Sequence, residues 1–447
     1  MKALIIAAGD GTRMQPVTHG RHKSLMSLLG LKIIERVILG ARDAGINEFV
    51  IVTGYRGEDL KSTIGDGSKY QVNVEYIENK KWHKANGLSV LKAKKYFKEN
   101  FVLLMSDHVF DSRTLVKIQR LKLKDKECAL AVDRNLDSVL DIDDTTKVVI
   151  KKGQIEAIGK KMDSYKAYDT GMFVCSPYIF EILERTTGKG KNSLTNGMSV
   201  LAREGRLRAF DNRDRFWADC DTWEDIKFAE KKLLKSLTKP KDGMVSKNLN
   251  RPVSTFITRF LIKTPITPNM ITFAIPTLFG IPTFFLLAQG VYPWILLGGI
   301  MIQFMSIIDG VDGEISRLKY MGSTWGKWLD PIVDRYVDTI VIAGMGYGYW
   351  RITGNAKIIP VLAFVMLSEL FSDYLSSKFE SQTGRKLKFG GVEFKRDIRL
   401  LVLAIGAITN QILPTFIVFI IISHLKFAGQ IIAGRRIAQN ITVTKKN

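Results

Sequence analysis

At 447 residues the chain is long enough for two or three domains, and its mean hydropathy of +0.03 averages an ordinary polar first half with a strongly apolar second half. A net charge of +22 admits nucleic acid as a partner, but the basic residues are dispersed and build no aromatic-interleaved basic motif. That pattern argues for no nucleic acid and for a cytoplasmic membrane face and phosphorylated substrates as the counter-charge. Three cysteines, Cys128, Cys175 and Cys220, are odd in number and lack metal-ligand spacing, which argues against a disulfide framework and fits a reducing compartment.

The first nine residues are too short for a signal segment and run into a Gly-rich turn, so they read as a buried first strand. Apolar runs at 3–8, 49–53, 72–76, 101–105 and 129–132 alternate with helical patterns such as 34–44 and 89–97. This alternation predicts an α/β, Rossmann-like domain with a doubly wound parallel sheet over residues 1–237, closed by a charged helix at 222–237. A Lys/Pro/Gly stretch at 238–243 follows as a linker. The segment 250–263 then puts Phe256, Ile257, Phe260 and Leu261 on one face, with Arg251, Arg259 and Lys263 elsewhere, the pattern of an interfacial amphipathic helix. Linker and interfacial helix together occupy 238–268.

From residue 269 to 447 the chain reads as an all-α polytopic membrane domain with a terminal tail. Six apolar stretches, 269–289, 292–316, 326–351, 356–379, 396–412 and 413–433, each read as long enough for a bilayer, which requires about 20 residues per helix. The connections near 290 and 411 lack Lys and Arg. Those at 317–327 and 378–399, and the tail with Arg435, Arg436, Lys445 and Lys446, are basic, so both termini are expected to be cytoplasmic. The mildly basic connection at 351–357 runs against this.

One constellation lies at the start. Leu4-Ile5-Ile6-Ala7-Ala8-Gly9-Asp10-Gly11-Thr12-Arg13-Met14, with Lys23 ten residues beyond Arg13, is a strand opening into a glycine-rich turn. Backbone N–H groups of such a turn approach phosphate oxygens, and the two cations can neutralise a triphosphate. The string closely resembles the signature of the nucleotidyltransferases that activate sugar and alcohol phosphates, although His22 stands where that family usually has Pro. The resemblance implies a nucleotide on Gly9, Gly11 and Thr12, catalysis by Arg13 and Lys23, and magnesium, or manganese, on Asp107, Asp219 and Asp221. Asp107 ends the run Leu103-Leu104-Met105-Ser106, and the other two lie in Trp217-Ala218-Asp219-Cys220-Asp221-Thr222. Carboxylates brought together from distant strand ends suit a hard cation that bridges substrate phosphates. Asn86 and Gly87, in Asn86-Gly87-Leu88-Ser89, match the base-binding region, and Asp169-Thr170-Gly171 a strand-end motif facing the second substrate; a purely structural role for these turn dipeptides stands equally open. Thr53-Gly54-Tyr55 ends a strand on the same rim.

A second constellation lies in the apolar half. Asp309 and Asp312, spaced i,i+3, and Asp330 and Asp334, spaced i,i+4, each share a helix face. A carboxylate at a bilayer centre costs roughly 2.5–3.5 kcal/mol on insertion scales, so four of them call for a partner such as a metal; a buried polar network would be built more cheaply from Ser or Asn. Gly310, Gly313 and Gly326 allow either close helix approach or room for a ligand. The residues resemble the CDP-alcohol phosphotransferase signature, Asp-x-x-Asp-Gly-x-x-Ala-Arg then Gly-x-x-x-Asp-x-x-x-Asp, with Ser316 in place of Ala. By that resemblance Asp309, Asp312 and Asp330 hold divalent metal, Asp334 is the base for the acceptor hydroxyl, and Gly313 and Arg317 lie at the nucleotide. Asp338 falls outside the motif and reads as a structural hydrogen-bond partner. Arg385, Lys386, Lys388 and Arg396 are candidates for an acceptor phosphate, though positive-inside topology explains them equally well.

A cytidylyltransferase would make a CDP-alcohol and the second module would consume it. The pairing resembles bifunctional enzymes that make CDP-inositol from CTP and inositol 1-phosphate and pass its inositol-phosphate group to a second inositol 1-phosphate. That family implies a lipid bilayer as surroundings and a homodimer through the membrane domain. Two alternatives stay open: a synthase with a lipid acceptor, and a transporter with a nucleotide-sensing domain.

Overall fold

The computed structural model describes residues 1–213, 215–238, 242–385, 387 and 394–444. Residues 239–241 of the linker, Lys386, Lys388 and the tail residues Lys445 and Lys446 therefore lie outside the described residues. The chain forms two compact units, Met1–Ser236 and Leu237–Asn447.

The first unit carries β1 (Ala3–Ala7), β2 (Glu48–Thr53), β3 (Asn73–Glu78), β4 (Phe101–Met105), β5 (His108–Phe110), β6 (Cys128–Asp133), β7 (Lys147–Lys151), β8 (Gln154–Gly159), β9 (Ala167–Cys175), β10 (Leu207–Asp211) and β11 (Trp217–Asp219). Nine of them form one sheet in the order β3-β2-β1-β4-β9-β6-β10-β8-β7. The expected parallel arrangement holds for β3, β2, β1 and β4. Beyond them the sheet is mixed: β9 runs antiparallel to both β4 and β6, and β8 antiparallel to β10 and β7, while β10 lies parallel to β6. The physical reason is that no helix intervenes from β6 to β9. A two-residue turn of Lys152 and Gly153, both at positive φ, folds β7 directly onto β8, a connection too short for a parallel crossover. β1 is buried along its whole length, as a central strand covered on both faces should be. One face packs Leu4, Val50, Leu103, Leu130 and Phe173 against Ile179, Leu183 and Met198 from the helices Tyr178–Thr187 and Leu194–Arg203. β5 and β11 pair separately as a small antiparallel ribbon, and α1 (Trp223–Ser236) follows. All three cysteines are buried and free.

The second unit is helical: α2 (Arg251–Leu261), α3 (Pro268–Ala288), α4 (Tyr292–Leu318), α5 (Thr324–Thr353), α6 (Ile358–Thr383), α7 (Arg396–Ile408) and α8 (Ile412–Thr444). The helix α3 widens into a π-helical stretch at Ile275–Gly280, where Pro276 supplies no amide hydrogen. Four helices, α3, α4, α6 and α8 over its Ile412–Gln439 part, are long and apolar enough to cross a membrane. Helix α5 has 30 residues, about 45 Å of rise, but carries Asp330, Asp334 and Asp338 together with Lys327, Arg335 and Arg351. Helix α7 has 13, about 20 Å against a hydrocarbon core of about 30 Å. The side chains of α2 point the opposite way from those of a soluble helix. Ser254 and Thr258 are buried while Phe256 and Phe260 are more than half exposed, so its apolar face is free to meet lipid. Close helix approach occurs at Gly348 of α5, where an added Cβ would meet the Leu287 carbonyl oxygen of α3.

Candidate active sites

Past β1 the chain turns at Gly11, whose φ of 58° and ψ of 44° are left-handed. An added Cβ there would fall 2.9 Å from the Lys23 side chain, so glycine is required for the turn and for laying Lys23 across it. Lys23 then reaches Asp107 and Asp221, and Arg13 reaches Asp221 and Asp144. Burial works against the Lys23 ammonium, but Asp107, Asp221 and Asp219 outweigh it and raise its pKa. His22 occupies the proline position with φ −63° and ψ 133°, angles a proline would adopt, and its Nδ1 accepts the Ser24 N–H at 3.2 Å. Its departure from the family pattern therefore leaves the loop conformation intact. Burial, then Lys23, lowers the His22 pKa to about 4. Gly9 and Thr12 are exposed beside this loop, and Tyr55 N–H donates to the Ala8 carbonyl at 3.0 Å, bringing the Thr53-Gly54-Tyr55 rim against it.

The carboxylates group differently from the expected trio. Asp107, His108 and Asp219 each offer a donor atom within 4.8 Å of the others, whereas Asp221 is engaged by Arg13 and Lys23. For Asp107, burial pushes the carboxyl up, but Lys23 and His108 bring it down to about 2. For Asp219, burial dominates and raises it to about 7, and its Oδ1 is buried without a hydrogen-bond partner. Burial likewise opposes charge on His108, yet Asp219 and Asp107 raise its pKa to about 9. An orphaned oxygen and a donor set of two carboxylates and an imidazole fit a divalent cation.

Asn86 is exposed, its Oδ1 accepts the Leu194 N–H at 2.9 Å, and a Cβ on Gly87 would meet the Asn192 carbonyl oxygen at 2.5 Å. Asp169-Thr170-Gly171 lies inside β9 and not at its end, at the register irregularity between Asp169 and Phe173. Burial raises the Asp169 carboxyl to about 6, and its Oδ1 accepts from Gly171 N–H at 2.7 Å.

In the helical unit, Asp309, Asp330 and Asp334 offer donor oxygens within 4.8 Å of one another. Asp312 turns away from that group to accept the Thr272 hydroxyl at 2.8 Å. Arg396 enters the cluster: its guanidinium lies 2.8 Å from Asp309, 3.0 Å from Asp334 and 2.9 Å from both oxygens of Asp338. Asp338 is the structural partner its position indicated, held also by Arg335 at 3.3 Å. Arg385 is exposed on the loop after α6 and makes no ion pair among the described residues. The Arg317 Nε and Nη2 atoms are buried without partners, a free pair of donors near Gly313. A Cβ added at Gly310, Gly313 or Gly326 would meet polar side-chain atoms of Arg251, Arg317 and Ser323 at 3.1–3.4 Å and not another helix backbone, so these glycines leave space beside polar groups and do not serve close helix approach. A polar cavity opens among Asn250, Arg251, Ser306, Asp309, Gly310 and Arg396.

Sequence reasoning missed His108, Asp144 and Glu314. His108 was adjacent to a quoted motif, Asp144 stood in an acidic run, and Glu314 lay within the second signature; none carried a spacing that singled it out.

Residues 2–236 match the family model described as Nucleotidyl transferase, and residues 265–431 that described as CDP-alcohol phosphatidyltransferase. The "Bifunctional IPC transferase and DIPP synthase" of Aquifex aeolicus (strain VF5) is 32% identical over 95% of this chain and 96% of its own. The protein of the same name from Rubrobacter xylanophilus is 33% identical over 91% of this chain and 90% of its own. The solved structure of the inositol-1-phosphate CTP transferase from T. maritima is 25% identical and covers 52% of this chain and 95% of its own, with a TM-score of 0.47. With both modules present in one chain and matched nearly end to end, the protein belongs to the family of bifunctional IPC transferases and DIPP synthases.

Proposed function

We propose that the chain is a two-step synthase: it transfers CMP from CTP to inositol 1-phosphate, giving CDP-inositol and pyrophosphate, and then transfers the inositol-phosphate group of CDP-inositol to a second inositol 1-phosphate, giving di-myo-inositol phosphate phosphate and CMP. The observation that carries this reading is the end-to-end match to a bifunctional relative, with, among the described residues, a cluster of side chains able to hold a metal in each unit.

In the first step the inositol phosphate oxygen attacks the α-phosphorus and pyrophosphate leaves, so no protein nucleophile is needed. Arg13 and Lys23, released from Asp144 and Asp221 by the incoming nucleotide, neutralise the triphosphate, and the loop at Gly9, Gly11 and Thr12 holds its oxygens. Magnesium, with manganese as a substitute, supplies Lewis acidity at the phosphates when bound. In the second step Asp334 takes the proton of the acceptor hydroxyl, Asp309 and Asp330 bind metal, Arg317 holds the nucleotide, and Arg396 turns from Asp309 and Asp334 toward the acceptor phosphate. Asp312, which accepts the Thr272 hydroxyl, would be a further ligand of that metal.

The same reading places six spans in the cell membrane, with α5 crossing because its aspartates are screened by metal and by Arg396, and α7 completing the bundle. Both termini are cytoplasmic, and two chains associate through the helical unit, as the CDP-alcohol resemblance implies. Mass analysis of products from purified full-length protein with CTP, magnesium and inositol 1-phosphate tests the reading. The expected result is pyrophosphate, CMP and a water-soluble phosphorylated di-inositol phosphodiester; a CMP-yielding product that partitions into organic solvent would establish a lipid acceptor instead. Lys23→Ala should abolish pyrophosphate release.

A further inference from the structure

The ribbon of β5 and β11 sets Asp219 directly opposite His108, so backbone register alone brings the two side chains to one place. Around the imidazole the fold is built to fit. Gly171 is left-handed at φ +73°, and a Cβ there would lie 2.3 Å from His108 Nδ1, so no other residue at 171 leaves room for the ring. The Trp217 ring lies alongside at 6.2 Å and 29°. His108 Nδ1 is 3.0 Å from the Thr170 carbonyl oxygen. A carbonyl only accepts, so Nδ1 carries hydrogen and Nε2 is the atom presented to the carboxylates. This is the arrangement in which a backbone carbonyl orients a metal-binding histidine.

The distances match a shared ligand site and leave no direct hydrogen bond between the imidazole and either carboxylate. Nε2 is 3.5 Å from Asp219 Oδ2 and 3.9 Å from Asp107 Oδ1, too far for a direct hydrogen bond to either. Bonds of about 2.0–2.2 Å to one ion place neighbouring donor atoms about 3–3.6 Å apart, close to this spacing. Asp219 Oδ1, buried and without a partner, is a further donor at the same point. The other oxygen of Asp107 contacts Lys23, which fixes the carboxylate so that Oδ1 faces His108.

We propose that His108 is a nitrogen ligand of the divalent cation in the cytidylyl-transfer site, the donor set being Asp107, His108 and Asp219, with Asp221 holding Arg13 and Lys23. The inference rests on the metal-dependent reading of that site. An imidazole donor shifts the preference of an otherwise all-oxygen site toward manganese over magnesium.

The test is pulsed electron paramagnetic resonance of full-length protein loaded with Mn2+ alone. A coordinated imidazole gives a 14N modulation that becomes a 15N signature when the protein is grown with 15N-histidine, a readout that needs no variant. The helical cluster contains no histidine, so its bound ion gives none. In His108→Asn the nitrogen signal should disappear, and Mn2+ affinity at this site should fall roughly tenfold or more. An unchanged nitrogen signal in that variant, or no histidine signal in the labelled wild type, overturns the assignment. The two readings fail separately: CTP-dependent pyrophosphate release without a histidine signal sinks the ligand and leaves the transferase, whereas a histidine signal without pyrophosphate release keeps the ligand and sinks the transferase.

Discussion

His22 shows how one residue can satisfy a family's backbone requirement by other means and leave a measurable trace. Its φ matches proline, and its ring caps Ser24, but an imidazole titrates and a pyrrolidine does not. Unfolded, the ring takes a proton near its ordinary value of 6.5; folded, burial and Lys23 hold it neutral down to about 4. The unfolded chain therefore binds more protons between these values, so stability should be level above pH 6.5 and fall as pH drops toward 4, by at most about 3 kcal/mol from this group. Comparing thermal midpoints of wild type and His22→Gln across pH 4–8 isolates the effect. The wild type should lose more stability on acidification than the variant; parallel curves would show that His22 is protonated in the folded protein.

Among the helices, the connection of α2 to α4 depends on Glu314. This carboxylate is fully buried and accepts from Ser254 at 2.7 Å, Thr258 at 2.6 Å and Arg251 at 2.6 Å, while Arg251 also contacts Asp242 at 3.0 Å. Every carboxylate oxygen is engaged, and α2 is left with its phenylalanines outward. Removing one partner of a buried pair leaves the other charge uncompensated, so Glu314→Ala should cost about 3–5 kcal/mol. Ser254→Ala should cost about 1 kcal/mol, a single hydrogen bond. Thermal unfolding in detergent reads both, and near-equal losses would mean the cluster is solvated. Neither Glu314 nor His108 was legible beforehand, and the reason is the same. The aspartate signatures are local, four residues or fewer per helix face, so spacing exposes them. By contrast, Glu314 gains its meaning from a helix about sixty residues earlier and His108 from a strand register more than a hundred residues away. The parallel half of the sheet was legible because apolar runs alternate with helices there; the antiparallel half was not, because a tight hairpin and the irregular β9 interrupt the period. Spans such as α3 and α4 were readable from length and apolarity, whereas α7 is ambiguous because 13 residues fit neither a full span nor a loop.

At the scale of the whole chain, each unit holds its own carboxylate cluster and its own cations: Arg13 and Lys23 in one, Arg317 and Arg396 in the other. In the proposed assignment no side chain of the first step comes from the second unit, or the reverse, which makes each half-reaction self-contained and the intermediate CDP-inositol the link between them. Asp334→Asn should therefore release pyrophosphate and accumulate CDP-inositol without CMP, and Lys23→Ala should convert supplied CDP-inositol to CMP and the diester while making none from CTP. Mixing the two purified variants with CTP and inositol 1-phosphate should restore the final product after a lag in which CDP-inositol builds up. The lag follows from mass action, since the second site must wait for free intermediate to approach its half-saturating concentration. Addition of excess CDP-inositol should remove it. A mixture that forms no diester, although each variant performs its remaining half-reaction alone, would mean that the intermediate never leaves the chain that made it.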